Sequence, residues 1–209
     1  MTEFSSLVTY PISIPTLSGV VAITWQKQEV RAISTSPFTY ERQVFKHSGD
    51  RWVATVTLPL MTRESAGAWS SFFLNLDGGY GSFWFGDVFN PEPMGSALGV
   101  PVVDGSSNAG RVVDSRGWTA NTSGILKAGD RIQIGNCLYQ ITKDVDSDSS
   151  GEAPLLIWPR LRATPADGST IVTSSPKGLF VLSNPDLVLS TINLRGGYTM
   201  PSFDILEAL

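Results

Sequence analysis

Few residues in this chain can do chemistry. It has one histidine, His47, and one cysteine, Cys137. One imidazole cannot build a several-histidine metal site within one chain, and one thiol excludes an internal disulfide and a four-thiolate zinc site. His47 lies in Lys46-His47-Ser48-Gly49-Asp50, a polar run that predicts a turn between two strands. A solvated turn histidine is favoured there over a general base. Cys137 follows Ile134-Gly135-Asn136, beside a predicted hairpin turn, and no flanking sequence marks it as a nucleophile. Asp144, Asp146 and Asp148 form a D-x-D-x-D run. A calcium loop of the helix–loop–helix kind needs glycine at the sixth position and glutamate at the twelfth. Ser149 and Leu155 stand there, so a solvated hairpin tip before Gly151 is the preferred reading.

Other candidates thin out in the same way. The pairs Gly78-Gly79 and Gly196-Gly197 lack the lysine and Ser/Thr of a phosphate loop and the helix of a dinucleotide fold. Asp87, Glu92 and Glu152 show no paired carboxylate of the kind glycoside hydrolysis uses. Six tryptophans could suggest sugar binding, but Trp52, Trp69 and Trp84 fall on predicted core faces. No residue is assigned a catalytic, cofactor-binding or metal-ligating role, and no cofactor is expected.

The elements that would position any site are mostly strands. The 209 residues carry 42% apolar and 16% charged side chains with net charge −4. That apolar share can bury a core and excludes a disordered chain. The negative balance argues against a sequence-specific nucleic-acid reader. No apolar run approaches the ~18 residues of a membrane span, and Met1-Thr2-Glu3-Phe4 lacks the pattern of a secretion signal. Twenty glycines and 13 prolines punctuate the chain into short β-rich segments.

Val20 to Trp25 predicts a strand, followed by a polar crossover at Gln26-Lys27-Gln28. Arg31 to Ser34 and Tyr40 to Lys46 read as further strands. From Arg51 to Leu58 the alternation places Trp52, Ala54, Val56 and Leu58 on one face, and Pro59 ends the ladder. Thr62 to Leu76 breaks the pattern. There Trp69, Phe72, Phe73 and Leu76 recur at helical spacing, behind a Thr62 cap and before Gly78-Gly79. This amphipathic helix should lie as a lid on a sheet. Phe83-Trp84-Phe85 reads as a buried strand.

A linker through Asn90-Pro91-Glu92-Pro93 then leads to a second β module with an alternating hairpin between Lys127 and Ile141. Further strands are expected at Leu155–Trp158, at Thr170–Val172 and, after Ser174-Ser175-Pro176, at Leu179–Leu182, Leu187–Leu194 and Ser202–Leu206. If the module is an insertion, the chain should leave and return at neighbouring points, and few contacts should cross the linkers.

Ser36-Pro37-Phe38-Thr39, Gln43, Trp52, Leu58-Pro59, Met61, Arg63, Trp69, Phe72, Gly81, Phe83 and Gly86-Asp87 stand in a characteristic order. So do Gly124 to Asp130, Ile134-Gly135, Leu138-Tyr139, Ile157 to Arg162, Pro176 to Phe180 and Glu207-Ala208-Leu209. In order and spacing, from about Val20 onward, the chain resembles the distal tail proteins of tailed bacteriophages. The resemblance implies a mainly β fold: a β-sandwich belt with one amphipathic α-helix, over 1–90 and 176–209, and an inserted small β-barrel-like domain over 91–175. It also implies a structural virion protein, not an enzyme, assembled in the bacterial host cytoplasm into a homo-oligomeric ring of six copies at the tail tip. Its partners would be the tail tube protein and the tail hub or central fibre protein, with no sequence-specific nucleic acid and no membrane. The alternatives are another tail ring component (a terminator or tube-like subunit) and a carbohydrate- or receptor-binding tail-tip protein using the 100–175 module. A baseplate hydrolase is disfavoured by the lone His47.

Overall fold

A computed structural model describes residues 8–16, 19–184, 186, 189–192 and 197–209. The expected strand at Leu187–Leu194 lies partly outside them, as does Gly196 of the second glycine pair.

Among the described residues, fourteen strands and one α-helix build a mainly β fold. The first sheet combines β1 (Ile12–Ser13), β2 (Ala22–Thr35), β3 (Arg42–Thr57), β4 (Phe83–Gly86), β11 (Lys177–Leu182) and β14 (Phe203–Glu207). Its order is β1-β4-β11-β14-β3-β2. The β1–β4 pair is parallel, and the other pairs are antiparallel. The helix α1 (Arg63–Asn75) starts where the sequence predicts, with the Thr62 hydroxyl accepting from the Ser65 backbone N–H. Glu64 sits in the first turn, where the helix dipole favours an anion. Trp69 and Phe73 pack on Phe203 at ring separations of 5.9 and 4.9 Å, and Phe72 packs on Phe83 at 5.3 Å. The helix is therefore the expected lid. A small two-stranded sheet of β12 (Thr191–Ile192) and β13 (Tyr198–Thr199) lies near it, joined to Met61 through Tyr198.

The second sheet takes β5 (Gly99–Val103), β6 (Val112–Trp118), β7 (Arg131–Ile134), β8 (Cys137–Ile141), β9 (Glu152–Trp158) and β10 (Ile171–Val172). Its order is β10-β7-β8-β9-β6-β5, and a bridge from Val102 to Thr170 nearly closes it into a barrel. Its interior is filled by Val103, Ile125, Leu126, Ile132, Ile141 and Leu155, among others. The tight β7–β8 hairpin depends on Gly135, whose φ of 58° lies in the left-handed region.

The chain leaves the first sheet at Gly86 and re-enters at Lys177, and these two residues are direct cross-strand partners. Ser175 also donates to the Pro91 carbonyl at 2.6 Å. The two connections lie side by side. A Cβ on Gly86 would collide with the Pro176 carbonyl, so the junction demands glycine there.

Three sequence readings are corrected. Gln26-Lys27-Gln28 is no crossover and Lys46–Asp50 is no turn. Both lie inside one long antiparallel ribbon, in which β2 pairs with β3 from Ala22↔Thr57 to Thr35↔Arg42, broken only by a bulge near Val30. The reversal is at Pro37–Thr39. The polar residues suggested turns because Gln26 to Gln28 and Lys46 to Gly49 are exposed and face no core. Trp84 is not a core residue either. Strand alternation puts Phe83 and Phe85 on the buried face and leaves Trp84 half-buried on the other.

Candidate functional site

The apolar face of the first sheet is covered in two halves. At one end it carries α1. At the other, Trp52 and Glu207 meet the barrel, Phe85 and Phe180 pack on Trp25 beneath the barrel's Arg131, and Leu138 and Trp158 of the barrel belong to the same apolar cluster as the sheet. Trp52 packs edge-on against Trp158 at 4.3 Å and donates its indole N–H to the Leu138 carbonyl at 3.0 Å. Leu179 and Lys177 donate backbone N–H groups to Asn136 and Gln133 across the same seam, both at 2.9 Å. The expectation of few contacts across the linkers is therefore overturned: the barrel completes the burial of the sheet.

Charge concentrates in this seam. The Asp50 carboxylate, 1% exposed, accepts from Arg111 at 2.9 Å, from Arg162 at 3.2 Å and from the Arg160 backbone N–H at 3.3 Å. Glu207, also 1% exposed, takes a two-pronged bond from Arg162, at 2.6 and 3.2 Å, and a further one from the Trp52 backbone N–H at 3.0 Å. Burial works against the Arg162 charge, but the bond to Glu207 and the field of Asp50 hold its guanidinium above its ordinary range. Glu29 receives Lys46, Arg111 and the Trp158 indole at 3.2, 3.3 and 3.3 Å. The Lys46 bond is the main reason its carboxyl titrates at about 2, with Trp158 and Arg111 adding to it against the opposing pull of burial. Arg131 of β7 lies over the Trp25 ring at 4.3 Å and pairs with Asp87 at 2.6 Å. Burial lowers the Arg131 pKa, and Asp87 offsets part of that. Such paired, two-pronged contacts fix one orientation of barrel on sheet.

Sequence reasoning missed Asp50, Glu29 and Arg111. A signal was present for the first. Asp50 continues the phase of Trp52, Ala54, Val56 and Leu58, just as Glu207 continues that of Phe203 and Ile205, and a carboxylate in phase with a buried face requires a cation.

The sequence-derived candidates stand apart from one another. His47 is exposed on the distal ribbon. Cys137 opens β8 and borders a recess of about 540 Å³ with Tyr139, Leu161 and Arg162. Burial raises both its pKa and that of Tyr139, the opposite of what activates a thiolate. The three aspartates each cap a different stretch of backbone. Asp144 accepts from Ala128, Asp146 from Gly124 and Ser123, and Asp148 from Ser150 and Glu152, at 2.6 to 2.9 Å. Among the described residues no group of three or more His, Cys, Asp or Glu side chains is placed to hold a metal ion, and no helix is long and apolar enough to cross a membrane.

Beyond Glu29 and Asp50 the ribbon continues as a free arm. From Val30 to Gly49 nearly every residue of both strands and the connecting turn is exposed. The tip carries Phe38 and Tyr40, 92% and 82% exposed, and the strands add Ile33, Val44 and Phe45. A ribbon with exposed apolar side chains, both faces open and, among the described residues, both edges unpaired is the form of a surface that other chains cover. No protein-family model and no curated protein matches the chain.

Proposed function

We propose that this chain is a structural subunit of a tailed-phage tail, assembling with copies of itself into a ring at the distal end of the tail tube and joining the tube to the hub or central fibre. The free arm carries this reading. Its exposed aromatics and aliphatics add nothing to the fold of their own subunit, and a closed ring of identical subunits gives each arm a neighbour. The seam supports it as well, because a barrel held by Asp50 and Glu207 moves with its sheet and presents a rigid subunit. Several residues that carry the family resemblance, namely Trp52, Leu138, Trp158, Arg160, Arg162 and Glu207, line that seam. The test is native mass spectrometry with negative-stain electron microscopy of the purified chain and of particles that contain it. A closed ring, six copies on the family pattern, is expected. A monomer in both settings overturns the reading.

A further inference from the structure

The arm has two faces of different chemistry. Directly paired residues share a face, so Arg31/Lys46, Ile33/Val44 and Thr35/Arg42 point one way. That face is an exposed aliphatic pair bordered by cations. Lys46 is engaged by Glu29, whereas Arg31 and Arg42 have no carboxylate partner among the described residues.

The outer wall of the barrel carries the reverse arrangement. On β6 and β9 the direct pairs are Val112/Leu156, Asp114/Pro154 and Arg116/Glu152. Val112 and Leu156 are an exposed aliphatic pair. Two adjoining recesses share Asp146 and Pro154; Val112 and Leu156 line one, with Lys143 at its rim, and Asp114 and Glu152 line the other. The Asp114 and Glu152 carboxylates are exposed and have no cation partner among the described residues, since Arg116 is taken by Asp104 and Asp167. The barrel's acidic character outward follows from its docking inward. Arg111, Arg160 and Arg162 turn toward Asp50 and Glu207, and Arg131 toward Trp25, leaving carboxylates on the far wall.

We infer that the arm of one copy lies on the β6–β9 wall of a second copy, with Ile33 and Val44 against Val112 and Leu156 and with Arg31 and Arg42 facing Asp114 and Glu152. The arm does not cover this wall in its own subunit, because both arm faces are exposed there. The contact uses different surfaces on the two partners, so it is head-to-tail and generates a ring where the rotation closes. This rests on the ring reading above and names the contact that would build it.

Charge reversal tests it. Arg31→Glu/Arg42→Glu on the arm, and separately Asp114→Lys/Glu152→Lys on the wall, place like charges opposite one another. Each should weaken assembly on the order of a hundredfold or more and leave a folded monomer with the parent's circular dichroism and thermal midpoint. Mixing the two variants restores opposite charges at both kinds of contact, so the mixture should form rings in which the variants alternate. All four substitutions in one chain should also assemble. Rings from either reversed variant alone, or no rings from the mixture and the fourfold variant, overturn the inference while leaving the ring reading standing. A parent chain that is itself monomeric overturns both.

Discussion

Two stretches of one β-ribbon, continuous in sequence and similar in polarity, do opposite things in this molecule. Near its base, Glu29 and Asp50 are locked against three arginines of the barrel. A few residues further out, Arg31, Arg42, Phe38 and Tyr40 stand in the open. Charge in the first stretch is desolvated and committed to one orientation, whereas in the second it is hydrated and unspent. The polar residues of a strand therefore do not disclose whether it ends, is buried or awaits a partner; what lies across from them decides that.

Removing the barrel should strike the base of the ribbon and spare the arm. Replacing residues 91–175 by a Gly/Ser bridge between Asn90 and Pro176 is easy in chain geometry, because the nearby Gly86 and Lys177 are adjacent strand positions. It would nevertheless uncover Trp52 and Trp25 and strand Asp50 and Glu207 without their arginines. Aggregated or unfolded protein is expected at every bridge length, read by size-exclusion chromatography and circular dichroism. A folded remnant would show that the seam is dispensable.

Next in size is Asp50→Ala, which removes one carboxylate from Arg111 and Arg162 while Glu29 and Glu207 still hold them. Losing the charged hydrogen bonds of a buried carboxylate costs about 1.5–3 kcal/mol. Phe38→Ser on the arm should shift stability by no more than about 0.5 kcal/mol. Urea denaturation of both variants measures the ratio, and equal effects would erase the distinction between base and arm.

The smallest expected effect is on pH dependence. Glu29 titrates at about 2 in the fold, below its ordinary 4.5, so the unfolded chain takes up the proton first. Its stabilisation is complete above pH 4.5 and is lost as pH falls toward about 2. The stability gap between the parent and Glu29→Gln should narrow across that window, and a gap independent of pH would count against the Lys46, Trp158 and Arg111 bonds as its cause.

How far the fold could be read from sequence follows the same division. The helix was legible from Trp69, Phe72, Phe73 and Leu76, the core strand from Trp52 to Leu58, and the β7–β8 hairpin from Gly135, since each is a local pattern. The mainly β class with one helix and a second β module followed from these, and the barrel-like form of that module was implied by the family resemblance. The seam was not legible, because the partners of Asp50 lie 61 and 112 residues away in Arg111 and Arg162. The arm was misread for a different reason. A ribbon open on both faces has no apolar phase, and Lys46 to Asp50 looked like a turn.

One feature of the first sheet bears on how the chain is made. β14 is the last of its strands in sequence, yet it lies in the middle, between β11 and β3. During synthesis the β2–β3 ribbon and the β4–β11 pair emerge with no strand to join them. The barrel, whose strands are contiguous, can close on its own schedule. Only when Phe203 to Glu207 leave the ribosome do the halves zip together, and the same event delivers Glu207 to Arg162. A nascent chain halted short of that strand would have neither a joined sheet nor a fastened barrel, so subunits cut short in translation would be left out of any assembly that requires both.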